Sequence, residues 1–452
     1  MKVSIGRGAI VVDDPDKNLM DGLKMFVHRR GGGEYEELYT LSNDGNILVT
    51  LPGFASRVKR ICQNAKVVDE RMPMPYPDLD AAIVGNDAWK DMIARAVCAC
   101  GGVVSVPDVF GEDAMAAAIL RAFPRGSLLV RGTPLSVIAA KDGAHARKLA
   151  GALSALLPER EIGFTATNRY TESEDVIVAP YDAMFDVQVQ YAGVFIGTDL
   201  TSGNFTSRAR CVSSIRSAAR WGICATSTGG AIEVGLDVEG LFGPVVSHAS
   251  YSDAVKAGIG TPISVVWIPC PKPNEYSGSA PLSVLSCSAM QNNAAFVMLL
   301  AEIMRSVNNE TGCILCTEQT VLAERVKSLL PNVVEIGRNT PAKEKKAALC
   351  DIAGGTIRKA IVSSGCFPRY TSHGVMVVAN CCGSEMSGWN IPWRHLTRPG
   401  EKTWIVDFRH DWDMHNCRPG RLALNDESRM RRYREMGFSQ IAVEDVAQLP
   451  FL

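Results

Sequence analysis

From about residue 78 onward, short apolar runs alternate with longer stretches whose apolar positions recur at helical spacing. The runs GGVVSV (101–106), SLLV (127–130), DVIVA (175–179), AGVFI (192–196) and WGICAT (221–226) have the length of buried strands. Between them, DAMAAAILRAF (113–123), ARKLAGALSALL (146–157) and RCVSSIRSAAR (210–220) read as helices. Such alternation predicts a parallel sheet covered by helices on both faces. A turn-rich joint follows at 269–283, carrying Pro269, Pro271, Pro273 and Pro281. A second alternating block then runs through NAAFVMLLAEIMRSV, GCILCT, LAERVKSLL, VVEIG, KAIVSS, GVMVVAN and TWIVDF, and a basic helix, ESRMRRYREMGF, closes the chain.

Before residue 70 the pattern differs. A capped helix start lies in VVDDPDKNLMDGLKMFV, ELYTLSNDGNILVTLP reads as a hairpin turning at Asn43-Asp44-Gly45, and FASRVKRIC reads as a helix. The proline-dense RMPMPYPDLD reads as a linker. The expected organisation is therefore a small α+β domain at 1–77, a first α/β domain at 78–271 and a second at 272–452. No sequence repeat of 20–50 residues is visible, although the two blocks could be two copies of one fold.

Composition narrows the function classes. Hydrophobic residues make up 46% of the 452 and charged residues 21%, which is globular usage. The net charge of −1 gives no global attraction to nucleic acid or anionic membrane, so any such contact needs a local basic face. No run reaches the roughly 18 uncharged apolar residues of a membrane span, and the N-terminus makes a poor signal peptide. The 14 cysteines are scattered, several inside apolar runs, and read as reduced thiols of a cytoplasmic protein. Cys313 and Cys316 form one C-x-x-C without a second ligand pair, so no zinc site is expected. The stretch His410 to His415 follows a strand and reads as an exposed polar turn.

The candidate chemistry lies at 101–115, GGVVSVPDVFGEDAM, where a strand runs through a turn into an Ala-rich helix. That is the setting of a phosphate-binding loop, whose usual text is A-P-T-G-x-G-K-T. Pro107 and Gly111 remain, but Asp108 stands for the threonine, Val109 for a glycine, Glu112 for the lysine and Asp113 for the hydroxyl residue. A carboxylate about 4 Å from a phosphate charge costs roughly 4 kcal/mol at an effective dielectric near 20. The three acids can instead answer the unpaired N–H groups of the helix they begin, each for about 0.3–1 kcal/mol.

Further landmarks follow in order: LLVRGTP (128–134), EDVIVAPYDAM (174–184), YAGVFIGTDL (191–200), WGICATS (221–227), GCILCTEQTVLAERVKSLL (312–330), IVSSGCFPRYTSHGVMVVAN (361–380) and SGWNIPWRHLTR (387–398). Together with the loop, over roughly 78–450, they resemble superfamily 2 helicases of the DEAD/DEAH type, and the earlier part resembles the N-terminal extension of phage-type members. The resemblance implies two tandem RecA-like domains, a viral origin and a place in the host cytoplasm. It also implies where chemistry is missing. The acidic box becomes Gly197, Thr198 and Leu200, with Asp199 between them, and the last motif keeps Arg394 of its two arginines. The vestigial nucleotide positions are thus Pro107, Asp108, Gly111, Glu112, Asp113, Gly197, Thr198 and Arg394, and no catalytic residue, metal or cofactor is expected.

In that family single strands lie across both lobes, touched by backbone and hydroxyl groups. Thr133, Pro134, Thr226 and Thr317 match such positions, and Arg431 and Arg432 add candidate phosphate contacts. Arg208, Arg210, Arg216 and Arg220, with Arg429 and Arg434, complete the candidate basic surfaces. The reading is an inactive helicase-like scaffold that binds single-stranded DNA or RNA, an active helicase or another replication protein. Two alternatives stay open: an active DNA helicase with unorthodox phosphate contacts, and an interaction or structural protein that binds no nucleic acid.

Overall fold

The structure is a computed structural model. It describes the chain except residues 7, 30–31, 72–75, 86, 108–109, 124–135, 166–173, 185–190, 201–211, 213–214, 227–231, 233, 259, 261, 276–283, 286, 309–311, 318, 338, 364–374, 381–402, 416–417 and 452. The chain divides into two compact units, Met1–Ser250 and Tyr251–Leu452.

The first unit opens with β1 (Lys2–Ile5), β2 (Ile10–Asp13), β3 (Lys24–Arg29), β4 (Gly32–Glu37), β5 (Tyr39–Leu41), β6 (Ile47–Thr50) and β7 (Lys66–Asp69). Five of these form a sheet in the order β5-β6-β2-β1-β7, while β3 and β4 pair as a separate hairpin. Alternation along β1, β2 and β6 puts Val3, Ile5, Ile10, Val12 and Leu48 in one core with Leu19, Phe54 and Val58. The expected β5–β6 hairpin turns where Gly45 takes φ +72°, a conformation that favours glycine. The helix Ala55–Ile61 follows as the sequence suggests.

A parallel sheet then builds from β8 (Gly101–Pro107), β9 (Ser136–Ala140), β10 (Ile162–Phe164), β11 (Val176–Pro180), β12 (Tyr191–Gly197), β13 (Arg216–Thr226) and β14 (Val245–His248). The spatial order is β10-β11-β9-β12-β13-β8-β14. The second unit supplies β15 (Ile263–Pro269), β16 (Gly312–Cys316), β17 (Val334–Ile336), β18 (Lys359–Val362), β19 (Val375–Asn380), β20 (Thr403–Arg409), a short pair β21 (Met414–His415) and β22 (Arg418–Pro419), and β23 (Ser439–Ala442). Its main sheet runs β17-β18-β16-β19-β20-β15-β23, again all parallel. Numbered from the first strand of each sheet, both orders read 3-4-2-5-6-1-7. The two blocks are one topology used twice, although no repeat is visible in sequence. The architecture is two tandem RecA-like α/β sheets preceded by a small α+β sheet. Strands β8, β9 and β11 are buried at nearly every position because helices cover both faces.

Two expectations need correction, and one strand, β9, goes unannounced in the sequence. Residues 210–220 were expected to be one helix, but from Arg216 the chain is the eleven-residue strand β13. Residues 219–224, Arg220 among them, are buried without a break, as in an inner strand covered on both faces. The fully buried β9 lies beyond the expected strand SLLV, which falls outside the described residues. Finally, the prolines at 269–273 do not separate the α/β units. β15 ends at Pro269 and pairs along its length with β20 as an inner strand of the second sheet, so the division lies at Ser250 rather than 271.

Candidate functional site

In an open parallel sheet, ligands bind beyond the C-terminal strand ends. In the first unit that edge carries the residues after β8, β9, β12 and β13. After β8, the Pro107 carbonyl accepts the N–H of Phe110 at 2.9 Å and of Gly111 at 3.4 Å. These donors are turned inward, unlike the amides of a loop that cradles phosphate. Gly111 sits at φ +88°, ψ 152°, where a side chain is strained, and the helix Glu112–Ala122 begins there with no side-chain cap. Glu112 and Asp113 stand in the first turn of this helix, where its positive end favours acids, while the N-cap position itself is a glycine without a side chain to cap it; Asp108 lies outside the described residues.

The Glu112 carboxylate reaches past β13 to the residues that follow β12 and β9. Its Oε1 accepts the backbone N–H of Asp199 at 2.8 Å, and its Oε2 lies 3.2 Å from Nε2 of His145. His145 is held by its own helix start: Asp142 caps Gly143–Leu156 by accepting the His145 N–H at 2.8 Å. That same bond holds the Asp142 carboxyl below its ordinary range. The hydrogen bond that His145 donates to Glu112 raises the imidazole above its ordinary value, against partial burial and with help from Asp199 and Asp142. Lys141 Nζ lies 3.7 Å from Asp199 Oδ2, and Asp199 holds the left-handed φ of +54°. Residues following β8, β9 and β12 thus meet in one polar knot.

The positions that the resemblance gives to an acidic box, Gly197 and Thr198, are enclosed by neighbouring side chains. Thr198 is fully buried; its N–H and its hydroxyl each donate to the Ala139 carbonyl at 3.0 Å, and its own carbonyl accepts the Tyr181 hydroxyl at 2.8 Å. A Cβ on Gly197 would lie 2.8 Å from Cε1 of Phe242 and 2.9 Å from the Tyr181 hydroxyl, with Cζ of Phe242 closer still. A Cβ on Gly222, one strand over, would meet Leu200 Cδ1 at 2.6 Å and Phe242 Cγ at 2.9 Å. Phe242 ends the helix Leu236–Phe242 and stacks on Phe195 with ring centres 6.2 Å apart. That helix is gripped from the N-terminal sheet's side by Arg57, whose guanidinium holds Glu239 through two bonds of 3.0 and 2.5 Å. His145, Lys141, Tyr181 and Phe242 were not singled out in the sequence. Only the helix-start signal at Asp142 hinted that His145 is held in place.

The candidate nucleic-acid residues divide between the two units. Thr226 ends β13 opposite Pro107 and is half-buried. Thr317 follows β16, is 3% exposed, and its hydroxyl oxygen accepts the Gln319 N–H at 3.1 Å. It lines a cavity of about 480 Å³ with Thr320, Asn339, Thr340 and Ser363, beside Glu324, Glu335 and Glu344. Arg431 and Arg432 are exposed on the helix Arg421–Glu435, and Arg432 pairs with Glu435 at 3.2 Å. Two presumed surface arginines are not on the surface. Arg220 is buried, donates to Val212 and Ile215 carbonyls, and is pushed down to about 10 by burial. Arg429 is 2% exposed and binds Asp407 at 3.0 and 3.2 Å and Asp426 at 2.9 Å. Thr133, Pro134, Arg208, Arg210 and Arg394 lie outside the described residues.

The expected exposed turn at 410–415 is also corrected in part. His410 and Asp413 are buried: His410 Nδ1 lies 3.1 Å from Asp426, and Asp413 accepts the N–H of Leu422 at 2.8 Å at the start of the last helix. Cys313 and Cys316 are fully buried in β16, and burial pushes the Cys313 thiol up to about 12. Among the described residues no His, Cys, Asp or Glu group is arranged to hold a metal, and no helix is long and apolar enough to cross a membrane.

Neither a protein-family model nor a curated protein matches this sequence. Among solved structures the chain is similar to UvsW of T4, at 13% identity and a TM-score of 0.39, covering 98% of this chain and 99% of that one. It is similar to S. cerevisiae Dbp5 bound to RNA and ADP BeF3, at 10% identity and a TM-score of 0.44, covering 81% and 93%. It is also similar to the helicase MrfA bound to DNA, at 12% identity and a TM-score of 0.45, covering 76% of this chain and 52% of that one. Likeness at these levels is one of chain path only.

Proposed function

We propose that this protein is a helicase-like scaffold without nucleotide chemistry, acting as a nucleic-acid-binding accessory factor in replication or recombination. The observation that carries the reading is the filled strand edge of the first unit. Glu112 stands at the lysine position and is bound to Asp199 and His145, while Gly197 stands at the box acid and is packed under Phe242 and Tyr181. Phosphoryl transfer needs a cationic group on the β/γ-phosphates, a held Mg²⁺ and a residue that orients the nucleophile. These positions offer none of the three. The ordered series of sequence landmarks and the twice-used strand order support a helicase-like framework around that edge.

Nucleic-acid binding is proposed through Arg431 and Arg432, with Thr226 and Thr317 as candidate backbone contacts. The test is fluorescence anisotropy with a labelled single-stranded DNA at several salt concentrations. The reading predicts affinity that falls as salt rises, without sequence preference. Neutralising Arg431 and Arg432 together should flatten the salt slope by roughly one to two units. Absence of salt-dependent binding by the wild type at about 50 mM salt would favour a protein-only scaffold.

A further inference from the structure

We infer that Glu112 and His145 form a proton-controlled latch that fastens the start of the helix after β8 to the turns after β9 and β12. The inference rests on the reading above only in taking this crevice to hold no nucleotide.

The geometry is that of a two-sided clasp. One carboxylate oxygen takes a backbone N–H from Asp199, and the other faces the imidazole Nε2 at 3.2 Å. Both groups are largely shielded, with side chains 14% and 26% exposed, so their attraction is screened less than that of a surface pair. The charged groups around the imidazole come from three elements. Glu112 begins the helix after β8, Lys141 and Asp142 precede the helix of His145, and Asp199 follows β12. The helix N-terminus under His145 opposes its positive charge, and the carboxylates favour it. With His145 charged, Glu112, Asp199 and Asp142 have its positive charge beside that of Lys141. With His145 neutral that charge is lost, and the ring offers Glu112 only a neutral donor.

The sign follows from the raised imidazole. A histidine whose folded value lies above its unfolded one lends stability fully at pH below the ordinary value of about 6.5. That contribution fades as pH rises through the folded value. The latch is therefore shut in mild acid and loosens toward alkaline pH.

The test is hydrogen exchange of the full chain across pH 5.5–9 without nucleotide, corrected for intrinsic exchange, together with NMR titration of His145 assigned through His145→Gln. Protection of the Asp199 amide should fall about three- to tenfold as His145 loses its proton, the size of the charge-assisted part of one hydrogen bond. Glu112→Gln keeps an oxygen for the Asp199 N–H while removing the charge. It should bring the His145 titration down and flatten the pH dependence, and His145→Gln should flatten it as well. An imidazole that titrates at or below its ordinary value overturns the latch, as does Asp199 protection with the same pH profile in wild type and Glu112→Gln. Nucleotide binding, which would sink the functional reading, is measured separately and leaves this titration unaffected.

Discussion

Gly197→Asp, which puts an acid where the helicase resemblance expects the first acid of the box, is expected to destabilise the protein by about 3–5 kcal/mol and to create no activity. The added Cβ alone meets Phe242 and the Tyr181 hydroxyl inside contact distance. Overpacking of this kind costs about 1–3 kcal/mol. The carboxylate beyond it would enter a core lined by Leu200, Phe195 and Phe242. There it must either remain charged without a partner or bind a proton, at a cost of several kcal/mol. Against a usual total of about 5–15 kcal/mol, the loss should be plain as a lower denaturant midpoint. Gly197→Ala separates the two parts, because it keeps the overpacking and omits the charge. A Gly197→Asp protein as stable as wild type would mean that Phe242 is not seated as described.

Arg429→Ala should cost about 3–5 kcal/mol, and the loss should appear in the second unit. Arg429 lies between Asp407, 1% exposed, and Asp426, 4% exposed, and Asp426 also accepts the His410 backbone N–H. Burial works against its charge, and Asp407, Asp426 and Tyr433 more than offset that, holding the guanidinium above its ordinary value. Removing it leaves two shielded carboxylates facing each other. Arg431→Ala and Arg432→Ala, both at exposed positions of the same helix, should change stability by no more than about 0.5 kcal/mol. Thermal melts of the three variants check this. Equal effects would contradict the division between a structural arginine and two surface ones.

That division shows what sequence can and cannot carry. Alternating apolar runs reveal two parallel sheets because burial on both faces leaves a continuous apolar text, as in β11 and β16. The same text misleads where a strand contains buried polar groups: Arg220 and Ser217 make β13 look amphipathic at helical spacing, although Arg220 donates to the Ser217 hydroxyl and to the Val212 and Ile215 carbonyls just before the strand. Helix-face arithmetic places Arg429 in a basic cluster, since nothing local shows that Asp407 and Asp426 enclose it. The departure of residues 107–113 from a phosphate-loop text is readable in the sequence, because each position of such a loop has a chemical requirement. Where Glu112 would go is not: Asp199 and His145 are its neighbours only once β8, β9 and β12 lie in one sheet. Phe242 likewise reaches Gly197 through the packing of a short helix, a contact with no sequence spacing to announce it.

The central claim, that the first unit has lost its nucleotide chemistry, is tested most directly by isothermal calorimetry of the full chain with ATP and Mg²⁺, followed by phosphate release with and without single-stranded DNA. The account predicts no binding tighter than about 1 mM, equivalent to roughly −4 kcal/mol, and no DNA-stimulated hydrolysis. Micromolar binding, or turnover that rises when DNA is added, would contradict it and favour an active helicase with unorthodox phosphate contacts.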